Sequence, residues 1–457
     1  MLTTRLKYLS QSERIRKVGV WVVSILLLFF GFYTNLWRVA EQQWFKNHQR
    51  GTESLIIGRM VKSRQDGIFS AGGLTGSGTQ KKAQGDWINS DWIVEQHAAY
   101  HNTGSFPNYW IYMSQPGGQG IIFSLLDKHI PLSPKIKLGF FYVLTALLSA
   151  IALTYIIDWF YEEFGLLASI CVLGSAVLSY WLTGFGKNLW WCLWAFYLPM
   201  IAVLYFLKLK RHSLVENRQF IRFGILIFIA VSIKCFINGY EYITTALVMM
   251  MTPCIYYAIF DKWSRQHCLK CSLAAITGSG VAIFLSLVML CFQIGAVKDG
   301  FMDGVAHVIY SFGRRTYGEA EDFPQKYAAS LRAGTMDVLI TYMYGVFLDL
   351  NNYLSIKNAF VSNTLLKIRY YYLIVLFLLM SALLFLRSNA ERRQQNIALI
   401  WTTWFSMLAP LSWFVIFKAH SHVHTHMSFL LWQMPFTLFG FAVLGSTIIA
   451  WGKNKQN

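Results

Sequence analysis

Long apolar stretches alternate with polar segments along the entire chain. A helix needs roughly 20 apolar residues, each adding about 1.5 Å, to cross the hydrocarbon core of a bilayer. Ten stretches come close to this length: residues 18–38, 138–158, 164–185, 189–208, 220–238, 241–260, 272–294, 369–386, 396–417 and 428–450. The pattern predicts an all-α polytopic membrane protein with about ten transmembrane helices.

Basic residues in the short links predict which end of each span faces the cytoplasm, because lysine and arginine concentrate on that side. They cluster before the first span and after the fourth, sixth, eighth and tenth: Arg5, Lys7, Arg14, Arg16, Lys17, Lys208, Lys210, Arg211, Arg218, Arg222, Lys262, Arg265, Lys270, Arg387, Arg392, Arg393, Lys453 and Lys455. The alternate short links carry only Lys187 and Lys418. The acidic link 158–163 departs from the pattern, yet the balance predicts both termini in the cytoplasm.

Two long polar segments, residues 39–137 and 295–368, are then external, and so is the short run 418–426. Each long segment belongs to one of two predicted transmembrane modules, residues 1–260 and 261–457. Candidate chemistry is therefore expected on the side of the membrane that faces away from the cytoplasm.

Parts of the external segments have helical or turn patterns of their own. Apolar residues within 53–62 predict one face of a short helix lying along the membrane interface. The glycine-rich stretch 66–85 predicts a mobile or tightly turned loop, and 114–120 predicts a tight turn before a short helix. The apolar stretch 336–348 is too short for a span and favours a re-entrant or interfacial helix.

Composition supports a membrane protein and weakens other classes. The 457 residues are 55% hydrophobic and 14% charged, whereas a soluble chain carries about 25% charged residues. The net charge of +18 resides at span ends, where anionic lipid and topology explain it, so we expect no nucleic-acid partner. None of the seven cysteines lies in a long external segment, so no disulfide framework is expected there.

Two carboxylates of the first external segment are candidate catalytic groups. Glu53 opens the predicted interfacial helix, where it could take a proton from an incoming hydroxyl or help to hold a divalent cation. Asp66 is the rival candidate. If these acids have only structural roles, Glu53 stabilises the start of a helix and Asp66 stabilises a turn.

Four histidines alternate near the end of the chain, at His420, His422, His424 and His426. On a strand all four would share one face, whereas on a helix only His420/His424 and His422/His426 would pair. Such imidazoles could bind a transition metal, but with Lys418 they favour contact with a phosphate or diphosphate. The alternative is a solvated loop.

Further candidates flank these segments. Arg314 and Arg315 are adjacent on the second external loop and could clamp an anion or pair with the acids that follow them. Glu241, at the external end of the fifth and sixth spans, is predicted to line a cavity, since ionisable groups near a membrane rarely face lipid.

The arrangement resembles the GT-C superfamily of membrane glycosyltransferases. One span leads into a large external loop that opens with an acid on a membrane-lying helix, here GTESLIIGRM (51–60). The loop returns through a Pro/Gly turn, here SQPGGQG (114–120), before a long series of spans. The family's usual carboxylate pair is represented here by Glu53 alone. Gln115 in the turn joins the candidate substrate-binding residues.

The resemblance implies a polyprenyl-phosphate-linked sugar as donor and a glycan, lipid or protein as acceptor. Glu53 would deprotonate the acceptor for an inverting attack on the sugar. Arg314 or Arg315, Lys418 and the histidines would hold the departing lipid phosphate. The resemblance also implies a bacterial plasma membrane, with the active site facing the periplasm or exterior. The sequence identifies no particular cofactor, and a divalent metal ion stays an open alternative.

Two other functions fit parts of the pattern. An O-antigen ligase or polymerase would also use many spans, a long external loop, and arginine and histidine residues. A transporter of lipid-linked saccharides would instead require ionisable residues inside the spans and paired half-repeats. The spans are largely free of charge, which favours an enzyme.

Overall fold

The computed structural model describes residues 11–79, 90–211, 216–354 and 360–453, and these are mostly helical. The helices are α1 (Gln11–Thr34), α2 (Gln42–Asp66), α3 (Ser90–His101), α4 (Gly118–His129), α5 (Pro134–Phe164), α6 (Leu166–Val177), α7 (Tyr180–Phe185), α8 (Leu193–Lys210), α9 (Asn217–Asn238), α10 (Ile243–Phe260), α11 (Arg265–Gly295), α12 (Phe301–Arg315), α13 (Ala328–Arg332), α14 (Thr335–Met343), α15 (Tyr370–Arg387), α16 (Arg393–Ser406), α17 (Leu408–Ile416), α18 (Lys418–Val423) and α19 (Phe436–Lys453). The strands are β1 (Gly76–Thr79), β2 (Asn108–Ile111), β3 (Val346–Asp349) and β4 (Lys367–Arg369).

Within these described residues, eight helical segments are long and apolar enough to cross a membrane: α1, α5, α8, α9, α10, α11, α15 and the continuous pair α16–α17. This confirms a helical integral membrane protein. The predicted spans 164–185 and 428–450 correspond to shorter apolar helices, α6 and most of α19. The first ends at Val177, and Ser179 then caps α7 by accepting a hydrogen bond from the Leu182 amide at 3.1 Å. The division into modules 1–260 and 261–457 stays a prediction.

Ion pairs gather at one end of the bundle. Lys17 lies 3.6 Å from Asp158 and also pairs with Glu162, and Lys208 contacts the same two carboxylates. The acidic link 158–163, which broke the sequence pattern, therefore supplies partners for the lysines beside it. We call this end, defined by Lys17, Lys208 and the link 158–163, the ion-pair end, and the opposite end the loop end. The predicted basic residues Arg5, Lys7 and Lys455 lie outside the described residues.

The loop end differs in two ways from the sequence prediction. The predicted interfacial helix at 53–62 is the middle of the longer α2, and its apolar residues Leu55, Ile56, Ile57, Met60 and Val61 are at most 6% exposed. It therefore packs inside the protein, against β1, α3 and α4, rather than presenting this face to lipid.

The glycine-rich stretch 66–85 is tightly turned at Ser70–Gly73, as one of the two alternatives predicted, but it also contains a strand. Residues 76–79 form β1, which pairs antiparallel with β2, while residues 80–85 lie outside the described part of the chain. A side chain at Gly78 would meet the Phe106 ring at 1.9 Å, so glycine here permits close packing. In the second loop, α14 (Thr335–Met343) covers the first part of the predicted interfacial segment 336–348, with Met336 and Ile340 exposed.

A buried carboxylate, Asp127, braces the helices of the first loop. It accepts hydrogen bonds from Arg64 Nε at 2.6 Å, Arg64 Nη2 at 2.9 Å and Tyr100 Oη at 2.7 Å, and Lys137 Nζ lies 3.3 Å away. These contacts join α2, α3, α4 and the start of α5. Burial opposes ionisation of Asp127, but the hydrogen bonds from Arg64 and Tyr100 outweigh it and hold its pKa below the ordinary value.

We predict that Asp127→Asn lowers the free energy of unfolding by about 3 kcal/mol at neutral pH, because it leaves the Arg64 charge without its buried partner. Since the folded pKa is depressed, the wild-type advantage is present above the unfolded pKa of about 3.9 and disappears as pH falls through the folded value. Unfolding in detergent at several pH values measures both effects. Glu321→Gln, in an exposed pair with Arg332, is the control and should leave the melting temperature unchanged. Equal effects of the two changes would contradict the bracing role.

Candidate functional site

Glu53 lies in the middle of α2, at the loop end, with only 1% of its surface exposed. Its Oε2 accepts a hydrogen bond from Tyr142 Oη at 3.0 Å, and its Oε1 accepts one from the Leu189 amide at 3.3 Å. Lys187 interacts electrostatically with the same carboxyl and donates to the Tyr33 carbonyl at 3.0 Å. We call Glu53, Tyr142, Lys187 and the Leu189 amide the Glu53 cluster.

Burial determines the proton affinity of this carboxyl. It raises the pKa of Glu53 to about 8, against the opposing effects of the Tyr142 hydrogen bond, Lys187, the Leu189 amide and Arg50. A carboxyl whose pKa lies near neutrality binds a proton far more readily than an exposed glutamate. At neutral pH this carboxyl is largely protonated, and only its ionised fraction can accept a proton from a substrate.

Asn188 fixes the backbone that meets Glu53. Its Oδ1 accepts hydrogen bonds from the amides of Trp190 at 2.9 Å and Trp191 at 3.1 Å, and its Nδ2 donates to Thr52 Oγ1 at 3.2 Å. The loop after α7 is thereby attached to the turn of α2 that carries Glu53. This attachment holds the Leu189 amide toward the carboxyl.

A second group of polar side chains surrounds Glu241, between α9 and α10. Arg315 Nη2 lies 3.8 Å from Glu241 Oε1, and His420 Nε2 lies 3.5 Å from Oε2. Lys234 Nζ donates to the carbonyls of Gly239 at 2.8 Å and Glu241 at 2.6 Å, which fixes this turn from inside the bundle. Three chain segments that are distant in sequence thus meet at one carboxylate.

The histidine run is helical at its start, so its members do not share one face. His420 and His424 lie on successive turns with ring centroids 4.3 Å apart, as the helical alternative predicted. His426 follows in a turn, 5.4 Å from His424, rather than pairing with His422. His422 and His426 are both exposed, but His426 keeps the ring contact with His424. We call Glu241, Arg315, His420, His424 and His426 the Glu241 cluster.

The buried imidazoles of this cluster are neutral at neutral pH. Burial lowers the pKa of His420 well below its ordinary value, and the positive charges of Arg315 and Arg314 lower it further. Burial also lowers the pKa of His424. These rings therefore act as hydrogen-bond donors or acceptors, and Arg315 supplies positive charge.

Several buried polar atoms around Glu241 have no hydrogen-bond partner within the protein. Among the described residues they include Glu241 Oε2, His420 Nδ1, His424 Nδ1 and Gln115 Nε2. Gln115 belongs here because its turn packs directly on Gly239, where a side chain would lie 2.3 Å from Gln115 Cβ. Buried polar groups normally have partners, so this concentration is typical of a ligand-binding region.

The remaining predicted residues have other contacts. Lys418 donates to the carbonyls of Leu331 and Ala333, each at 2.8 Å, and Arg314 donates to Tyr327 Oη at 3.1 Å. Both side chains therefore brace the second loop beside the Glu241 cluster. Asp66 pairs with Lys62 at the far end of α2, about 20 Å from Glu53 at the rise of an α-helix, and the structure does not bring it to either cluster.

The two clusters are neighbours. Trp190, next to Leu189, packs its ring against Tyr112 with centroids 5.2 Å apart. Burial raises the pKa of Tyr112, whose hydroxyl also interacts electrostatically with Arg315 and Glu241. We call the two clusters with Trp190 and Tyr112 the loop-end site.

A second link runs through α2 itself. His48, one turn and a half before Glu53, interacts electrostatically with His426, and burial lowers the pKa of His48 to about 4. The ring of His48 stacks on Trp44 with centroids 4.3 Å apart. The helix that carries Glu53 therefore also reaches the histidine run.

Sequence reasoning missed Tyr142, Lys187, His48 and Tyr112. Lys187 did carry a signal, because it is the one basic residue of a short link that is otherwise uncharged. Tyr142 is one of 24 tyrosines and carries no signal in the sequence. Its role depends on how α5 packs beside α2.

Within the part of the chain that the structure describes, no group of three or more His, Cys, Asp or Glu side chains is placed to hold a metal ion. Each cluster contains a single carboxylate, and the oxygens of Glu53 already accept two hydrogen bonds.

Comparison with protein-family models, curated proteins and solved structures gives no match.

We predict that wild-type stability falls, relative to a Glu53→Gln variant, as pH rises from about 4.5 to about 8. The folded pKa is raised, so the native state binds more protons than the unfolded state in this range and loses stability as they dissociate. Thermal unfolding in detergent across this range provides the measurement. Glu216→Gln, at an exposed carboxyl, is the control and should follow the wild-type curve. Parallel curves for wild type and Glu53→Gln would show that Glu53 ionises as an ordinary carboxyl.

Proposed function

We propose that the protein is a membrane glycosyltransferase of the GT-C type, which moves a sugar from a polyprenyl-phosphate-linked donor to a glycan, lipid or protein acceptor. The observation that carries the proposal is the juxtaposition of the Glu53 cluster with the Glu241 cluster through Trp190 and Tyr112. A transferase of this kind needs a base for the acceptor and a holder for the departing phosphate. The Glu53 cluster offers the base, and the Glu241 cluster offers the groups that hold the phosphate.

The proposal includes a topology of about ten crossings with both termini in the cytoplasm. The ion-pair end would face the cytoplasm, since Lys17 and Lys208 lie there. The loop-end site would then face the periplasm or exterior of a bacterial plasma membrane. In this orientation the donor lipid lies in the outer leaflet with its phosphate at the level of the site.

Glu53 acts as the base in this mechanism. An acceptor hydroxyl takes the place of Tyr142 Oη as the hydrogen-bond partner of Oε2 and gives its proton to the carboxylate. The acceptor oxygen forms a bond to the anomeric carbon while the bond from that carbon to the phosphate oxygen breaks. The electron pair leaves with the polyprenyl phosphate, and the sugar configuration inverts. With a pKa of about 8, the ionised fraction of Glu53 that is present near neutral pH is a stronger base than an exposed glutamate.

The Glu241 cluster holds the departing phosphate. Arg315 supplies a guanidinium whose planar fork fits phosphate oxygens, and neutral His420 and His424 supply N–H donors. Arg314 and Lys418, which brace the second loop, add positive charge beside the cluster. Because the site is largely buried, these interactions are stronger than they would be in water.

A ligase-type or polymerase-type enzyme is the second candidate. The observation that favours it is the meeting of Arg315, from the second long loop, with His420 and Glu241. Glu53 is enclosed by Tyr142 and Leu189 and would then serve to hold the loop after α7. The two candidates differ in whether Glu53 takes part in the chemistry.

We predict that Glu53→Gln reduces sugar transfer by about 10²- to 10⁴-fold, the usual contribution of a general base, while binding of the polyprenyl phosphate persists. The measurement is transfer of labelled sugar from polyprenyl-phosphate-linked donors in membranes. Asp66→Asn is the matched comparison on the same helix and should retain transfer. Loss of transfer in Asp66→Asn but not in Glu53→Gln would make Asp66 the base.

Arg315→Gln should weaken binding of the polyprenyl phosphate itself, measured with purified protein, because it removes the charge that meets the phosphate. If Glu53→Gln retains transfer while Arg315→Gln and His420→Ala lose it, the ligase-type reaction replaces the present proposal. Melting temperatures of all variants establish that each protein is folded.

A further inference from the structure

An open groove lies between α9 and α11, away from the loop-end site. Its volume is about 490 Å³, and its lining is mostly apolar, including Ile221, Ile225, Leu273 and Val281. These four side chains are between 45% and 64% exposed, so the groove opens on the outer surface of the bundle. In a membrane protein such a surface faces lipid.

The backbones of α9 and α11 approach each other closely and form the bottom of the groove. A side chain at Gly278 would lie 2.4 Å from the Gly224 carbonyl oxygen, and one at Gly224 would lie 3.1 Å from the Ala274 carbonyl oxygen. Small residues at these positions let α9 and α11 touch. The larger side chains on either side of this contact form the sides of the groove.

The groove has the length of one leaflet. Its lining on α9 runs from Asn217 to Phe228, a rise of about 16 Å along a helix, and half of a hydrocarbon core is about 15 Å thick. Asn217 is the first residue of α9 and follows the link from α8 at the ion-pair end. The groove therefore extends from the ion-pair end to about the middle of the membrane.

The mouth of the groove is polar and basic. Lys270 Nζ donates to Asn217 Oδ1 at 3.0 Å and lies 5.6 Å from the centre of the Phe220 ring. Glu216 and Arg218 flank Asn217 with opposite charges, so Lys270 leaves an excess of positive charge here. An amide and an ammonium group above an apolar channel complement an anionic headgroup above a hydrocarbon chain.

We propose that this groove binds an anionic phospholipid, with one acyl chain along the bottom formed by Gly224 and Gly278 and the phosphate against Lys270 and Asn217. The lipid lies in the leaflet at the ion-pair end, so it is separate from the donor lipid of the loop-end site. The proposal does not depend on the glycosyltransferase assignment. By bridging α9 and α11, the lipid also stabilises the spacing of the helices that lead to Glu241 and to α12.

The test uses the purified full-length protein in detergent and measures retained lipid by native mass spectrometry. Phosphatidylglycerol and phosphatidylcholine with identical chains are supplied together. The wild type should prefer phosphatidylglycerol, and Lys270→Gln should lower that preference roughly fivefold, since one basic residue near an anionic surface contributes ~1 kcal/mol. Thr277→Phe, which fills the groove at an exposed position, should reduce retention of both lipids.

Arg222→Gln is the matched control, because Arg222 is an exposed basic residue of α9 outside the groove lining. It should retain the wild-type preference. An equal loss in Arg222→Gln and Lys270→Gln would overturn the proposal in favour of general attraction to the basic surface. Unchanged lipid retention in Thr277→Phe would also overturn it, and a change from dimer to monomer in that variant would assign the groove to a second copy of the chain.

Discussion

The hydrocarbon core of a membrane excludes unpaired charge, and this constraint sorts the charged residues of the chain into two ends. At the ion-pair end, Lys17 and Lys208 share the carboxylates of Asp158 and Glu162, so charge is neutralised locally. At the loop end, charged groups belong instead to a site with several buried polar atoms that lack protein partners. The two ends thus differ in how their charged groups are surrounded: by ion pairs at one end, and by a mixture of ion pairs and unpartnered polar atoms at the other.

Hydrogen bonds and ion pairs between polar side chains hold the elements of the loop end together. Asp127 joins α2, α3, α4 and α5, and Asn188 ties the loop after α7 to α2. Because α2 is enclosed on its apolar face, Glu53 is removed from water and its pKa rises. The same burial that stabilises α2 therefore raises the proton affinity of Glu53.

Burial also changes the character of the histidine run. The sequence allows these imidazoles to be cations, but the low polarity around His420 and His424 keeps them neutral, so positive charge comes from arginine. Glu241 is placed between these two kinds of group, 3.8 Å from Arg315 and 3.5 Å from His420. In the mechanism that we propose, this carboxylate orients both donors toward the departing phosphate.

The sequence by itself determined a helical membrane protein, the positions of most apolar helices and the polar segments in which Glu53, Glu241 and the histidines lie, because hydrophobic length and charge are local properties. Tertiary structure decided which of these residues meet. It separated Asp66 from Glu53, used Lys418 as a brace, and brought Tyr142 and Lys187 to the carboxyl. It also buried the face of α2 that the sequence assigned to the membrane surface. An apolar stripe has the same periodicity whether lipid or protein covers it, so only the packing of β1, α3 and α4 distinguishes the two.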